Sequence, residues 1–119
     1  MIDRVLMPTA TNGTSSDTFY VPLNAKALTV HVPALVGAAA TLKLQALKPK
    51  LQENDSDSWG DVTIFDVTDG SYEAVDGLAE STVVTLPTAV IGGGPFKFVA
   101  SEAQTGAADA IEIMIKWLL

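Results

Sequence analysis

The sequence contains no cysteine, and this absence removes several kinds of chemistry at once. Disulfide bonds, thiolate zinc sites and a cysteine nucleophile are all excluded. Histidine is nearly as scarce, since His31 alone could supply an imidazole to a catalytic site. His31 lies in the strand-like run TVHVP, and no Gly-x-Ser-x-Gly motif for a nucleophilic serine occurs. We therefore predict that the protein is not an enzyme and uses no cofactor or metal.

Basic residues are also scarce. Seven Lys and Arg stand against 14 Asp and Glu, so the formal net charge is −7. Nucleic-acid binding draws most of its affinity from basic residues that neutralise phosphates, so we expect no nucleic-acid partner. Contact with an anionic membrane is disfavoured for the same reason. The chain has neither 18 consecutive apolar residues nor the apolar core of a signal peptide, and we expect a soluble protein.

Charged residues make up only 18% of the 119 residues, whereas 48% are hydrophobic. This length suits a single domain, and the low charge suggests that part of the surface is covered by another molecule. Residues 1–18 include the small, polar run TATNGTSSDT. We predict an N-terminal arm or flexible segment over 1–18 and a folded domain over 19–119. An arm that packs on a neighbour and a frayed end remain equal alternatives.

Short runs of alternating apolar and polar residues occur along most of the chain. In AIEIMIKW, the three isoleucines fall on one face and the residues between them on the other, as in a half-buried strand. Seven such strands are predicted, over residues 19–23, 27–32, 41–47, 62–67, 82–86, 96–100 and 110–117. The run 62–67 has apolar residues on both faces, so we expect contact on both of its sides.

These runs are separated by clusters of Gly, Asp, Asn and Ser, and no long helical period occurs. The pattern predicts an all-β fold, namely a single-domain antiparallel β-sandwich. A jelly-roll strand order remains open. The strongest helix candidate is a short one over residues 101–108, where Ser101 could cap the first turn.

Two loops resemble ligand-binding motifs but lack essential parts of them. In VIGGGPFKFVAS, Pro95 removes a backbone donor and a strand follows it, so the glycines indicate a turn rather than a phosphate loop. In DSDSWGD, Asp55 and Asp57 have the spacing of the first two EF-hand ligands. The fifth position is Trp59, however, and the twelfth is Asp66 rather than Glu. We interpret this stretch as a solvated acidic loop.

Three segments, in this order, carry a resemblance to a known group of proteins. They are HVPALVGAAATLKLQAL, SWGDVTIFDV and GGGPFKFVASEAQTGAADAIEIMIKW. Together they resemble small head proteins of tailed bacteriophages, among them capsid decoration, or cement, proteins. The similarity covers about residues 19–117 and consists of strands and turns, with no catalytic signature. Residues 1–18 match nothing in this group.

The resemblance implies a structural virion protein with a β-sandwich or jelly-roll fold. Such a protein is made in the host cytoplasm and binds the outside of the capsid shell, often as an oligomer. The implied partner is the major capsid protein, and we expect self-association as a dimer or trimer. A second function remains open: a carbohydrate- or ligand-binding module of a phage tail or fibre, which would require a row of exposed aromatic rings.

Large apolar side chains near loops and strand ends are the candidate contacts with a partner. They are Trp59, Phe96, Trp117, Leu118 and Leu119. Packing within the protein's own core is the alternative for the tryptophans and for the C-terminal leucines.

Overall fold

The computed structural model describes residues 2–7, 13–87, 94–104 and 111–118, and these residues form strands and connecting loops without a helix. All strand pairs are antiparallel. The predicted all-β class is therefore confirmed. The strands are β1 (Ile2–Met7), β2 (Ala27–Val32), β3 (Thr41–Leu47), β4 (Trp59–Asp61), β5 (Thr63–Asp66), β6 (Ser71–Ala74), β7 (Leu78–Ala79), β8 (Thr82–Pro87), β9 (Phe96–Ala100) and β10 (Ile111–Leu118).

Most strands belong to two sheets, and β5 and β6 form a separate hairpin. The first sheet has the order β1-β10-β2-β8. In the second sheet, β3 pairs with β9 along one edge and with both β4 and β7 along the other. Residues 14–19 run along the outer edge of β9, where bridges join Ser15 to Val99 and Phe19 to Phe96. These residues complete a second four-stranded layer.

The order of the strands becomes regular when two groupings are made. Residues 14–19 count as one strand position, and β4 and β7, which share an edge of β3, count as another. When the eight positions are numbered in chain order, the first sheet has the order 1 (β1), 8 (β10), 3 (β2) and 6 (β8). The second sheet has the order 2 (residues 14–19), 7 (β9), 4 (β3) and 5 (β4 with β7). This alternation between two sheets is the strand order of a jelly roll.

A single hydrophobic core fills the space between the two sheets. Every second residue of β2 and β9 is buried, because successive side chains of a strand point to opposite faces. From the second layer, the ring of Phe19 stacks on that of Phe98 with centroids 5.3 Å apart. Each fully buried Leu or Phe stabilises the fold by about 1.5–3 kcal/mol. The largest fully buried side chains are those of Phe96, Phe98, Leu28, Leu42, Leu44, Ile113, Ile115, Gln104 and Val30.

The predicted boundary at residue 18 does not separate an arm from the sandwich. Strand β1 pairs with β10 over its whole length, and residues 14–18 lie beside β9. Ser16 is buried, and its Oγ accepts a hydrogen bond of 2.9 Å from the Phe98 N–H. The small polar residues conceal this pairing in the sequence. The predicted strand over 19–23 is wrong, since only Phe19 forms a bridge there.

The other predicted strands match the structure more closely. Residues 27–32, 41–47 and 96–100 coincide with β2, β3 and β9, and 82–86 is β8 without its last residue. Residues 111–117 lie in β10, and residue 110 lies outside the described residues. Strand β1 was not predicted, because residues 1–18 were expected to form an arm or flexible segment. Strands β4, β6 and β7 were not predicted either, because runs of two to four residues are too short to show an alternation.

Two further expectations differ from the structure. Residues 62–67 do not make contact on both sides, because Phe65 and Val67 are exposed. Of the predicted helix over 101–108, residues 101–104 are irregular, and residues 105–108 lie outside the described part of the chain.

Gln104 holds three loops together from a fully buried position. Its side-chain Oε1 accepts a hydrogen bond of 2.7 Å from the Val36 N–H, and its Nε2 donates to the Val36 carbonyl at 2.9 Å. The same Nε2 donates to the Glu102 carbonyl, and the Gln104 N–H donates to the Gly13 carbonyl. The amide thus pairs with a loop backbone as a neighbouring strand would.

We predict that Gln104→Met, which nearly preserves the volume, lowers the free energy of unfolding by about 1–3 kcal/mol. The reason is that the partly buried N–H and carbonyl of Val36 lose their partners. Urea unfolding followed by tryptophan fluorescence measures the change. Gln52→Met, at an exposed glutamine, is the matched control and should stay within about 0.5 kcal/mol of the parent. Equal stability of the two variants would contradict this role of Gln104.

Candidate functional site

Two of the predicted partner contacts are core residues. Phe96 is 1% exposed and lies with its ring against that of Phe19, at a centroid distance of 5.8 Å. Trp117 is 4% exposed and packs in the same core, where its Nε1 has no hydrogen-bond partner among the described residues. Neither side chain is available on the surface. Both expectations are therefore corrected: the strand alternation that turns Lys97 and Lys116 away from the core turns these two residues inward.

Trp59 is half-buried at the start of β4, opposite Leu47. The Nζ of Lys97 lies 4.5 Å from the centroid of its ring, in a cation–π contact. Trp59 thus retains an accessible portion, although part of its face is already occupied. In the C-terminal pair, the backbone of Leu118 pairs with Ala27. Its side chain and the whole of Leu119 lie outside the described residues.

His31 is the last but one residue of β2 and lies between Met114 of β10 and Val83 of β8. It borders a shallow groove of about 390 Å³ on the outer face of the first sheet. The described lining residues include no carboxylate that could orient the imidazole; they are Ala27, Thr29, His31, Val83, Thr85 and Lys116. The described residues around His31 therefore do not form a catalytic group of side chains.

A second cavity, of about 500 Å³, lies over the ends of β3 and β9. Its charged groups are those of Lys43 and Asp76. Ser101, also in its wall, uses its Oγ to accept a hydrogen bond of 3.0 Å from the Thr41 N–H. No imidazole is among the described residues that line it, and the Nζ of Lys43 is paired with Asp61 at 3.3 Å, so these residues do not form the Ser–His arrangement of a serine nucleophile.

The residues of the calcium-like motif are not assembled into a site. The Oδ2 of Asp55 accepts a hydrogen bond from the Gln52 N–H, and Asp57 forms an ion pair of 2.9 Å with Lys50. Asp66, the twelfth position, lies in β5. In the glycine-rich segment, Gly92 and Gly93 lie outside the described residues. Gly94 has a φ of 98° and leads through Pro95 into β9, as a turn requires.

The most unusual exposed feature is the hairpin of residues 63–74, which consists of β5, β6 and the turn between them. Three large apolar side chains are exposed on it: Phe65 at 48%, Val67 at 85% and Tyr72 at 74%. Phe65 and Tyr72 are register partners, and their ring centroids lie 5.1 Å apart. Because opposite residues of a ladder share a face, the two rings form one exposed aromatic surface.

Acidic groups cluster at the turn of this hairpin. The carboxylates of Asp66, Asp69 and Glu73 lie within 4.8 Å of one another. Two of them already stabilise the turn, since Asp66 accepts a hydrogen bond from the Thr68 N–H and Asp69 accepts two from Ser71. The Ser71 hydroxyl, and then the Ser71 N–H, lowers the pKa of Asp69 below its ordinary value. The cluster is thus a local turn structure with a concentrated negative charge.

The turn of the hairpin could be foreseen, but its exposed rings could not. The TDGS segment separates two β-prone runs, and an Asp-Gly pair is a typical hairpin signal. Gly70 has a φ of 72°, a conformation that favours glycine. Nothing in the sequence distinguishes Phe65 from a core phenylalanine, because alternation predicts two faces without saying which is buried.

Comparison with protein-family models, curated proteins and solved structures found no match for this chain. Among the described residues, there is also no helix with the length and apolar character needed to cross a membrane.

We predict that Ser71→Ala raises the pKa of Asp69 toward its ordinary value. The variant removes the hydroxyl donor, the largest cause of the lowered pKa, and keeps the backbone donor, so part of the shift remains. A lowered pKa means that Asp69 stabilises the fold at neutral pH and that this contribution disappears as the pH falls through the folded-state pKa. Carbon-13 NMR titration of the carboxyl groups measures the change.

Asp61 is the internal control, because its lowered pKa is caused first by a hydrogen bond from Gln45 and then by Lys43. The titration of Asp61 should be the same in the parent protein and in Ser71→Ala. An unchanged Asp69 titration in Ser71→Ala would contradict the assignment.

Proposed function

We propose that this protein is a structural decoration, or cement, protein that binds the outside of a tailed-bacteriophage capsid. The observation that carries the proposal is the distribution of large apolar side chains. Outside its filled core, the described sandwich exposes large hydrophobic residues on a hairpin, on loops and on an edge strand, and of these Val83 alone borders one of the two cavities described above. These residues are Tyr20, Leu23, Leu51, Phe65, Val67, Tyr72 and Val83.

Exposed side chains of this kind suit contact with an extended surface. Adhesion to a large assembly requires side chains that are exposed on the protein surface, whereas catalysis requires convergent polar groups in a concave site. The resemblance of residues 19–117 to phage head proteins supports the same function. Fold alone does not define it, because sandwiches with jelly-roll order serve many functions.

The physical effect of such a protein is stabilisation by mass action. A molecule that binds the assembled shell but not the free subunits raises the free energy needed to open the shell. At a free concentration of about 100 times the dissociation constant, each occupied site contributes about 2.7 kcal/mol. Because a shell repeats the same site many times, modest affinity at each site is sufficient.

The test measures binding of this protein to purified capsids of the phage that encodes it, prepared so that the capsids lack this protein. We expect saturable co-sedimentation with the shells, no binding to unassembled major capsid protein, and a higher temperature of shell opening. Failure to bind at concentrations of tens of micromolar would contradict the proposal. A glycan array tests the alternative of a carbohydrate-binding module. Specific glycan binding without capsid binding would favour that alternative.

Self-association is part of the proposal, and β8 is its best-suited surface. This strand lies at the edge of the first sheet, and its sequence TVVTLP carries no charge. Val83, on its outer face, is exposed. Natural edge strands usually carry charges, prolines or other features that prevent pairing with another chain, and β8 has such a feature only at its end, in Pro87. Pairing of β8 with the same strand of a second copy would form a two-fold symmetric dimer.

We predict that Val83→Lys shifts the molar mass in solution toward that of the 12.5 kDa chain. A lysine on the edge strand of each copy would disfavour the pairing. Light scattering coupled to size-exclusion chromatography measures the mass. Thr29→Lys, on the interior strand β2, is the control and should keep the parent mass. A parent protein that is monomeric at high micromolar concentration would contradict the dimer.

A further inference from the structure

The hairpin of residues 63–74 is an insertion into one strand position of the sandwich. Strand β4 pairs with residues 45–47 of β3, and β7 pairs with residues 41–42 further along the same edge. Between them, the chain leaves the sheet to form β5 and β6 and then returns. A continuous strand could have covered this edge, so the hairpin is not required by the topology of the fold.

The base of the hairpin is fixed at a single point of β3. The Val62 N–H donates to the Leu44 carbonyl at 3.0 Å, and the Leu44 N–H donates to the Val75 carbonyl at 2.9 Å. The Val75 N–H in turn donates to the Val62 carbonyl at 2.8 Å. Both valines are buried in the core. Three hydrogen bonds and two core side chains therefore position the hairpin, which lowers the entropy lost when it binds a partner.

The two faces of the hairpin differ in character. Ile64 is partly buried and packs against the core, so its face of the ladder is turned toward the sandwich. Phe65 and Tyr72, on the opposite face, are turned toward solvent. An exposed aromatic pair on a positioned support is the kind of surface that dominates binding energy in protein interfaces. Folding gives no reason to keep it.

The charge of the hairpin limits the chemistry of its partner. Residues 63–74 contain three carboxylates and no lysine or arginine. Nucleic acid, an anionic membrane and the same hairpin of a second copy are all disfavoured by like charge. A protein pocket with apolar walls and an arginine- or lysine-containing rim is complementary, and arginine also stacks on aromatic rings.

We propose that residues 63–74 are the capsid-docking segment, with the rings of Phe65 and Tyr72 inserted in an apolar pocket of the shell protein whose rim is basic. This inference rests on the proposed capsid-binding function and adds the segment and the chemistry of its receptor.

The first test replaces both rings while preserving β-propensity, in Phe65→Thr/Tyr72→Thr. We expect the dissociation constant for purified capsids to rise at least about 30-fold, as for the loss of hot-spot side chains. Gln52→Thr, at an exposed residue outside the hairpin and outside the set of exposed apolar side chains, should bind within about threefold of the parent. The far-ultraviolet circular dichroism and thermal midpoint of each variant establish that it is folded.

The second test changes charge without touching the rings. Glu73 is exposed but is the register partner of Ile64, so it lies on the face opposite the rings and acts on the basic rim through its electric field rather than by contact. Glu73→Lys should therefore weaken capsid binding and reduce its sensitivity to sodium chloride, because a long-range attraction is replaced by a repulsion. Glu53→Lys makes the same change of net charge in an exposed loop outside the hairpin. Glu53→Lys should weaken capsid binding less than Glu73→Lys does.

The outcomes separate this inference from the proposed function. If the parent protein binds capsids and the ring variant binds equally well, the docking segment is wrong and the function stands. If the two charge variants behave alike, the basic rim is wrong. If the parent protein does not bind capsids, the proposed function fails and the inference fails with it.

Discussion

The inner faces of two four-stranded sheets must cover each other, and the rest of the structure depends on this constraint. Leu28, Leu44, Phe98 and Ile113 come from four different strands, and all are fully buried in one core. None of these strands could bury its apolar face alone, because each face needs the opposite sheet to exclude water. With the interior filled by side chains, the protein meets other molecules through its outer faces, edges and loops.

The covering of one sheet by the other requires few buried side chains from the strand position beside β3, and this leaves room for the hairpin of residues 63–74. Val62 and Val75 supply the buried side chains there, and between them Ile64 alone packs against the core and is only partly buried. Such weakly constrained segments on a rigid support are where binding functions commonly arise. The exposure of Phe65 and Tyr72 has an energetic cost in water that the fold does not offset, so selection for a contact explains it better than selection for stability.

Alternation in the sequence predicted the strands that have one buried face and at least five residues, as in β2, β3 and β9. It failed for residues 14–18, where Ser16 replaces an apolar side chain with a hydrogen bond to Phe98. It also failed for the candidate contacts, because a run such as FKFVA does not reveal whether its phenylalanines face the core or a partner. Phe96 was thus taken for a partner contact, and Phe65 was expected to be covered, because both faces of the strand 62–67 were expected to make contacts. Only packing against the opposite sheet distinguishes them.

The acidic charge bears on how many copies could occupy one assembly. Each chain carries a formal charge of −7, and copies that approach within the screening length of about 8 Å at physiological ionic strength repel one another. Close association therefore requires either a partner that neutralises the charge or a contact that carries none. The acidic hairpin meets the first condition if its receptor is basic, and the uncharged strand β8 meets the second. Because the two surfaces are separate, binding to a shell and pairing with a second copy would not compete for the same residues.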